Sequence, residues 1–222
     1  MSKRSSSKKS RVLIVDDHPV MRRGLSQVVC DQPDMEVCGE AASVDEALAL
    51  AEQTAPDLMI VDISLGDKNG IELIKQVRNR WPDLRMLVSS MHDESLFAER
   101  ALRAGAMGYV NKGEETGTLM DAARRVLDGH IHLSPQMTTR LLNQVATTPL
   151  TDSRSPIEKL SDRELEVFRL IGEGLLTKQI AARLKLSIKT IETYRENIKA
   201  KLNLANAAEL TRHAVQWVLE QT

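Results

Sequence analysis

Apolar positions in the first 130 residues follow two rhythms. Five short runs, at 12–15, 35–39, 58–61, 84–88 and 107–110, are dominated by Val, Ile, Leu and Met. Runs of that length, apolar nearly throughout, read as strands buried on both faces. Between them apolar residues recur at helical spacing. Pro19 suits the first position of a helix. Ser43 and Glu46, three residues apart, form a capping-box pattern for the next. Further helices are predicted over 70–80, 94–104 and 115–128. Strand and helix alternating five times predict a doubly wound parallel sheet.

Beyond residue 157 the rhythm is helical only. Ser161 caps a helix with acidic residues in its first turn, buries Leu165, Phe168, Leu170 and Ile171, and ends near Gly172–Gly174. A second helix starts near Thr177, a third is capped by Ser187 and runs to Leu202, and a fourth covers 207–219. Two short helices, a tight turn and a longer third helix suggest a helix-turn-helix. On the third helix Ile191, Ile198 and Leu202 form a core stripe, with the stem of Arg195 near them. Lys189, Thr193, Glu196 and Ala200 fall on the opposite face, with Glu192 and Asn197 at its margins. Such a face is either merely solvated or able to reach bases and phosphates. Residues 145–156 are polar, carry two prolines and lack periodicity, as a linker does. The chain therefore divides into a tail (1–10), an α/β domain (11–130), a connecting helix and linker (131–156) and an all-α four-helix domain (157–222).

Composition narrows the class. With 222 residues there is length for two ordinary domains. Aromatic residues make up 3%, which argues against a ring-lined ligand pocket. No uninterrupted apolar run approaches the ~20 residues of a membrane span. Cys30 and Cys38 lack a His or Cys cluster, so neither a disulfide framework nor a structural zinc site is expected, and a reducing, cytoplasmic setting is. The overall charge of −1 hides an asymmetry. Residues 12–144 carry 13 Lys/Arg and 21 Asp/Glu (−8), whereas residues 157–222 carry 11 and 9 (+2). Two domains with different partners follow. The Ser- and Lys/Arg-rich residues 1–10 read as a disordered basic tail, or as a non-specific phosphate-binding arm.

In a flavodoxin-like five-stranded sheet the ligand crevice lies beyond the carboxyl ends of the strands. Strand one ends in Asp16-Asp17, strand three in Asp62, strand four in Ser89-Ser90, and strand five runs into Lys112. In the order 2-1-3-4-5 strands one and three are neighbours, so three carboxylates converge. Their repulsion calls for a hard cation, and oxygen ligands with open water positions suit Mg²⁺. A carboxylate beside a divalent ion, a hydroxyl and a lysine is equipped to accept a phosphoryl group. Singly, each residue has a duller role as a helix cap or a solvated charge.

The run Leu13-Ile-Val-Asp-Asp17, the turn Val61-Asp-Ile-Ser-Leu65, Val88-Ser-Ser90 and Ala104-Gly-Ala-Met-Gly-Tyr-Val-Asn-Lys112 resemble the receiver domain of bacterial response regulators over about residues 11–130. The resemblance implies that Asp62 is the phospho-acceptor. It makes Asp16 and Asp17 the acidic pair, with Asp17, Asp62 and the Ser64 backbone carbonyl as Mg²⁺ ligands. Ser90 becomes the hydroxyl that bonds the phosphoryl group, Lys112 the partner lysine and Tyr109 the aromatic switch. Ser64 and His92 fall where the family tunes acyl-phosphate lifetime, or else are ordinary loop residues. Gly66 stands where the family usually has Pro, which predicts a looser loop.

Leu160-Ser-Asp-Arg-Glu164, Gly174, Lys178-Gln-Ile-Ala-Ala-Arg-Leu184 and Ser187-Ile-Lys-Thr-Ile191, with Asn197-Ile198 and Lys201-Leu202, resemble the LuxR-type helix-turn-helix over about 157–220. The pair of modules is similar to the NarL/FixJ response regulators. This implies Lys178 and Thr190 near phosphates, and Lys189, Thr193 and Glu196, flanked by Asn197, toward the major groove. Tyr194 stands where many relatives have His, and Glu192 and Glu196 where some have Lys, so base preference does not transfer. The implied partners are a cognate histidine kinase, double-stranded promoter DNA, a second copy of the chain and RNA polymerase, with no membrane. The implied role is a phosphorylation-switched transcription regulator rather than an enzyme. Two rivals remain. A Mg²⁺-dependent aspartyl phosphatase would need an acid/base carboxylate where Ser64 stands, and a small-molecule-sensing LuxR-type regulator would need an apolar pocket.

Overall fold

The computed structural model describes residues 9–66, 68–92, 94–147 and 156–221. The chain forms two compact units that divide at Ala146 and Thr147. The first is built on β1 (Ser10–Val15), α1 (Pro19–Cys30), β2 (Met35–Ala41), α2 (Val44–Thr54), β3 (Leu58–Val61), β4 (Ser64–Leu65), β5 (Lys68–Asn69), α3 (Gly70–Arg80), β6 (Arg85–Ser90), α4 (Glu94–Ala104), β7 (Gly108–Asn111), α5 (Thr116–Leu127) and α6 (Pro135–Thr147). Five strands make one parallel sheet in the order β2-β1-β3-β6-β7. This is the expected doubly wound order. The central strands are buried on both faces because helices cover each side. Val12, Ile14, Leu58, Ile60 and Leu87 meet Met120, Ala122, Ala123 and Val126 of α5 in one core.

Local chemistry sets the helix starts. Pro19 stands at the first position of α1. The Ser43 hydroxyl accepts the Glu46 amide (3.3 Å), but Glu46 reaches back to the Ala42 amide (2.7 Å) rather than to its own cap. The expected capping box is therefore offset by one residue. Two features go beyond the five expected strands. β4 and β5 pair antiparallel just after β3, Ser64 opposite Asn69. After α5 the chain returns along the outer edge of β7: the Tyr109 amide donates to the His132 carbonyl (3.0 Å) and the His132 amide to the Met107 carbonyl (3.0 Å). The Ser134 amide then donates to Glu94 at the start of α4 (2.9 Å), and α6 begins at the next residue. Of the expected basic tail, residues 1–8 lie outside the described residues and Ser10 already belongs to β1. Of the expected linker, residues 148–155 lie outside them, while α6 continues through Thr147.

The second unit contains a 3-10 turn (Pro156–Lys159), α7 (Asp162–Gly172), α8 (Thr177–Leu184), α9 (Ile188–Leu202) and α10 (Ala207–Gln221). Leu165, Phe168, Leu170 and Ile171 of α7 pack with Ile180, Leu184, Ile191, Ile198, Leu210 and Ala214 in its core. The Phe168 and Trp217 rings lie 5.5 Å apart. α7 begins with a complete capping box: the Ser161 hydroxyl accepts the Glu164 amide, and Glu164 accepts the Ser161 amide (2.7 Å). The same carboxylate accepts Lys201 Nζ of α9 (2.5 Å), which ties the start of the first helix to the end of the third. Burial acts to raise the Glu164 pKa, but the bonds from Lys201 and Ser161 outweigh it, and the carboxyl stays below its usual range.

A carboxylate held low in the folded state stabilises above its unfolded pKa, and that contribution disappears as pH falls through the folded value. Unfolding free energies of wild type and Glu164→Gln should therefore differ at pH 7, by about 0.5–1 kcal/mol for the lost ion pair with Lys201, because a carboxamide still accepts the Ser161 amide. They should converge as the pH drops below about 4.5, the ordinary value for such a group. A gap that persists unchanged in acid would contradict this assignment.

Candidate functional site

The parallel register decides which side chains meet. Val15 pairs with Val61, so the residues that follow, Asp16 and Asp62, leave neighbouring strands side by side. Ser90 pairs with Asn111 across β6 and β7, which places Lys112 beside the same sheet end. Lys112 Nζ donates to Asp16 Oδ2 (2.7 Å) and to Asp62 Oδ2 (2.6 Å). All three side chains are at most 6% exposed. Burial works against the ammonium charge; the Asp62 charge and the bonds to both carboxylates more than offset it, and the Lys112 pKa lies above its ordinary value. The lysine is thus a fixed cation between two buried anions.

Asp17 is oriented by His18, whose Nδ1 lies 2.7 Å from Asp17 Oδ1, while the His18 amide donates to Asp16 Oδ1 (2.8 Å). Ligand atoms of Asp16, Asp17, His18 and Asp62 all lie within 4.8 Å of one another. Asp62 Oδ1 is buried with no hydrogen-bond partner among the described residues. A buried carboxylate oxygen left in that state is costly unless something charged meets it. Three clustered carboxylates with one such oxygen fit a hard, oxygen-seeking divalent cation better than a soft one.

The loop beyond Asp62 is built tightly. A Cβ on Gly70 would lie 2.0 Å from the Asp62 carbonyl oxygen, so only glycine lets α3 begin there. The Gly70 amide donates to the Ile63 carbonyl (2.7 Å), and Asn69 caps α3 through the Ile71 amide (2.7 Å). Gly66 has φ of 60°, a value the proline ring excludes. On either side of it Ser64-Leu65 pairs with Lys68-Asn69, while Asp67 lies outside the described residues.

Ser90 is fully buried, and the His92 amide approaches its hydroxyl at 3.4 Å. His92 is no exposed loop residue: it is 8% exposed, its Nε2 lies 2.9 Å from Ser64 Oγ, and its ring stands 4.8 Å from that of Phe97. Tyr109 lies inward, 1% exposed, and its hydroxyl donates to the His92 carbonyl (2.9 Å). One residue therefore joins the loop after Asp62 to the Ser90 and Tyr109 side of the sheet. His18, Asn69, Gly70 and the 130–134 segment were not among the expected site residues. Gly66 was the one sequence signal for the hairpin.

In the second unit the structure separates the expected DNA-contact residues by exposure. Lys178 of α8 is exposed, as are Lys189, Thr193, Glu196 and Asn197 of α9. Thr190 is half-buried and serves the cap of α9: Ser187 Oγ accepts its amide (3.0 Å) and lies 2.7 Å from its hydroxyl. Ile191 and Ile198 are buried and set the rotation of the helix.

An acidic clamp at the end of a parallel sheet in one unit and a helix-turn-helix in the other define a class of two-domain regulator. Residues 12–124 match the response regulator receiver domain, and residues 158–214 match the luxR family of bacterial regulatory proteins. The chain is 36% identical over 210 residues to the oxygen regulatory protein NreC of Staphylococcus carnosus, covering 93% of this chain and 97% of that one. It is 34% identical over 203 residues to the nitrate/nitrite response regulator protein homolog of Haemophilus influenzae, with 91% and 95% covered. A solved structure of RcsB from Salmonella enterica serovar Typhimurium, bound to promoter rprA in the presence of the phosphomimetic BeF3-, is 27% identical with a TM-score of 0.59, covering 94% of this chain and 99% of that one. The chain belongs to the two-component response regulators that join a receiver domain to a LuxR-type DNA-binding domain. Among the described residues no helix is long and apolar enough to cross a membrane.

Gly70→Ala should strain the backbone on both sides of Asp62. The expected loss is about 1–3 kcal/mol, as for other overpacked sites, read from the urea midpoint. An unchanged midpoint would mean that the loop has more room than this geometry allows.

Proposed function

We propose that Asp62 accepts a phosphoryl group from a cognate histidine kinase and that this modification controls binding of the second domain to double-stranded promoter DNA. The clamp carries this reading: Lys112 holds Oδ2 of Asp62, while the buried Oδ1 has no partner among the described residues. A lone pair on an Asp62 carboxylate oxygen forms the new O–P bond as the N–P bond of the phosphohistidine breaks. The imidazole leaves with that electron pair. Asp16, Asp17, Asp62 and the Ser64 backbone carbonyl would hold Mg²⁺, which when bound supplies positive charge against the phosphoryl oxygens. Lys112 contributes the second positive charge, and Asp16 keeps that lysine in place. In this reading the Ser90 hydroxyl donates to the phosphoryl group, and its movement bears on Tyr109 through His92.

The receiver stores one phosphoryl group and is no turnover enzyme in this reading. His92, hydrogen-bonded to Ser64 two residues beyond the acceptor in sequence, sets how fast the acyl phosphate is lost. The switched output is DNA binding, as a homodimer on two half-sites, with RNA polymerase as the further partner. The proposed setting is the cytoplasm, where the free thiols of Cys30 and Cys38 persist.

The test is DNA binding with and without acetyl phosphate and Mg²⁺, with oligomer size followed in parallel. Wild type should incorporate about one phosphate per chain and bind promoter fragments more tightly as a dimer, and Asp62→Asn should do neither. Binding enhanced equally in Asp62→Asn, or turnover of a phosphate ester beyond one equivalent, would overturn the scheme. His92→Ala should change the rate of dephosphorylation, measured by loss of radiolabel. An unchanged rate would remove His92 from the mechanism.

A further inference from the structure

We propose that Glu196 is a base-reading residue that accepts a hydrogen bond from the N4 amino group of a cytosine in the major groove, and that Glu192 one turn earlier only repels backbone phosphate. The inference rests on the reading of α9 as the helix that enters the groove.

The buried Ile191 and Ile198 fix which side of α9 faces outward. Helical spacing then turns Lys189, Thr193, Glu196 and Ala200 furthest from the core, and all four are exposed. Glu192 is also exposed but lies at the margin of that face. A carboxylate on a surface that meets a polyanion weakens binding unless a donor meets it. An ionised carboxylate offers acceptors only. In the major groove the exocyclic amino groups of cytosine and adenine are the donors, and adenine places its N7 acceptor beside N6, where it opposes a second carboxylate oxygen. Cytosine is therefore the favoured partner.

The two glutamates differ in what surrounds them. Lys199 Nζ lies 2.9 Å from Glu196 Oε2, on a lysine side chain that is 20% exposed. That pair offsets the charge of Glu196, restricts its side chain and leaves Oε1 without a partner among the described residues. Glu192 has no ion pair among the described residues, so its full charge faces the DNA. The neighbours complete the pattern. Thr193 donates its hydroxyl hydrogen to the Lys189 carbonyl (3.0 Å), which removes it as an outward donor and leaves its methyl group available to a thymine methyl. Lys189 remains the donor for guanine. One cationic donor, one methyl group and one acceptor thus stand along a single exposed face.

The experiment selects binding sites from a pool of randomised double-stranded oligonucleotides, using the full-length protein with acetyl phosphate and Mg²⁺. Wild type is compared with Glu196→Gln, Glu192→Gln and Lys189→Ala. Wild type should enrich a motif containing a cytosine whose replacement lowers affinity about five- to a hundredfold, the range for one good base contact. In Glu196→Gln that position should relax or turn to adenine, because a carboxamide can bond adenine N6 and N7 together. Glu192→Gln should bind every site more tightly and leave the motif unchanged. A Glu196→Gln motif identical to wild type, with affinity raised uniformly, would overturn the cytosine contact. If Lys189→Ala alters that same motif, α9 stands as the reading helix and only the role of Glu196 falls. A wild-type protein that enriches no motif at all would overturn the reading of α9 itself.

Discussion

The first domain is organised around one ammonium group held between two buried carboxylates. Lys112 lies 96 residues from Asp16 and 50 from Asp62 in sequence, so only a completed sheet brings the three together. Two ionised aspartates side by side in a poorly hydrated cleft would repel. Deleting one partner of such a buried set leaves an uncompensated charge that typically costs several kcal/mol. The lysine therefore makes the ends of β1 and β3 compatible with the apolar core directly beneath them. It does so without satisfying every oxygen, since Asp62 Oδ1 keeps no hydrogen-bond partner among the described residues.

From that clamp, backbone and hydrogen bonds lead in turn toward the sheet edge: the Lys112 amide donates to the Ser90 carbonyl (2.9 Å) and the His92 amide approaches the Ser90 hydroxyl (3.4 Å). His92 contacts Ser64 through its ring and receives the Tyr109 hydroxyl on its carbonyl, while the Tyr109 amide bonds the His132 carbonyl. Two residues later Ser134 is fastened to Glu94, and α6 follows. A change of position at Ser90 or His92 thus has a physical route to the helix that closes the first domain. This is a connected path with identified partners. The switch itself requires that the path have two arrangements.

Much of this was legible in the sequence, for reasons that differ by element. The buried strands announced themselves because two-sided burial demands uninterrupted aliphatic residues, as in Leu58-Met-Ile-Val61. Strand ends were legible because charged residues stop such runs abruptly, and the sheet order then forces Asp16, Asp62 and Lys112 together. Ser161 and Glu164 were readable as a helix start, but the Lys201 partner of Glu164 was not, since nothing local encodes a contact 37 residues away. Gly66 was illegible in its conformation for a related reason. It was compared with a proline, whereas its actual conformation belongs to a hairpin whose pairing involves Ser64, Leu65, Lys68 and Asn69. The 130–134 segment escaped because it forms too few sheet bonds to leave a period of two in the sequence. Its role depends on what lies beside it.

That same segment has a bearing on how copies of the molecule can associate. A parallel sheet has two outer strands whose unpaired amides and carbonyls could template another chain. Here the backbone of β7 is already occupied at Met107 and Tyr109 by His132, and the start of α6 stands just beyond. Continuous cross-molecule β-pairing along that rim would first have to strip away the protein's own chain, and with it the anchor of α6. At Met107 and Tyr109 the backbone is thus closed to a second chain, and side chains are what the protein offers there.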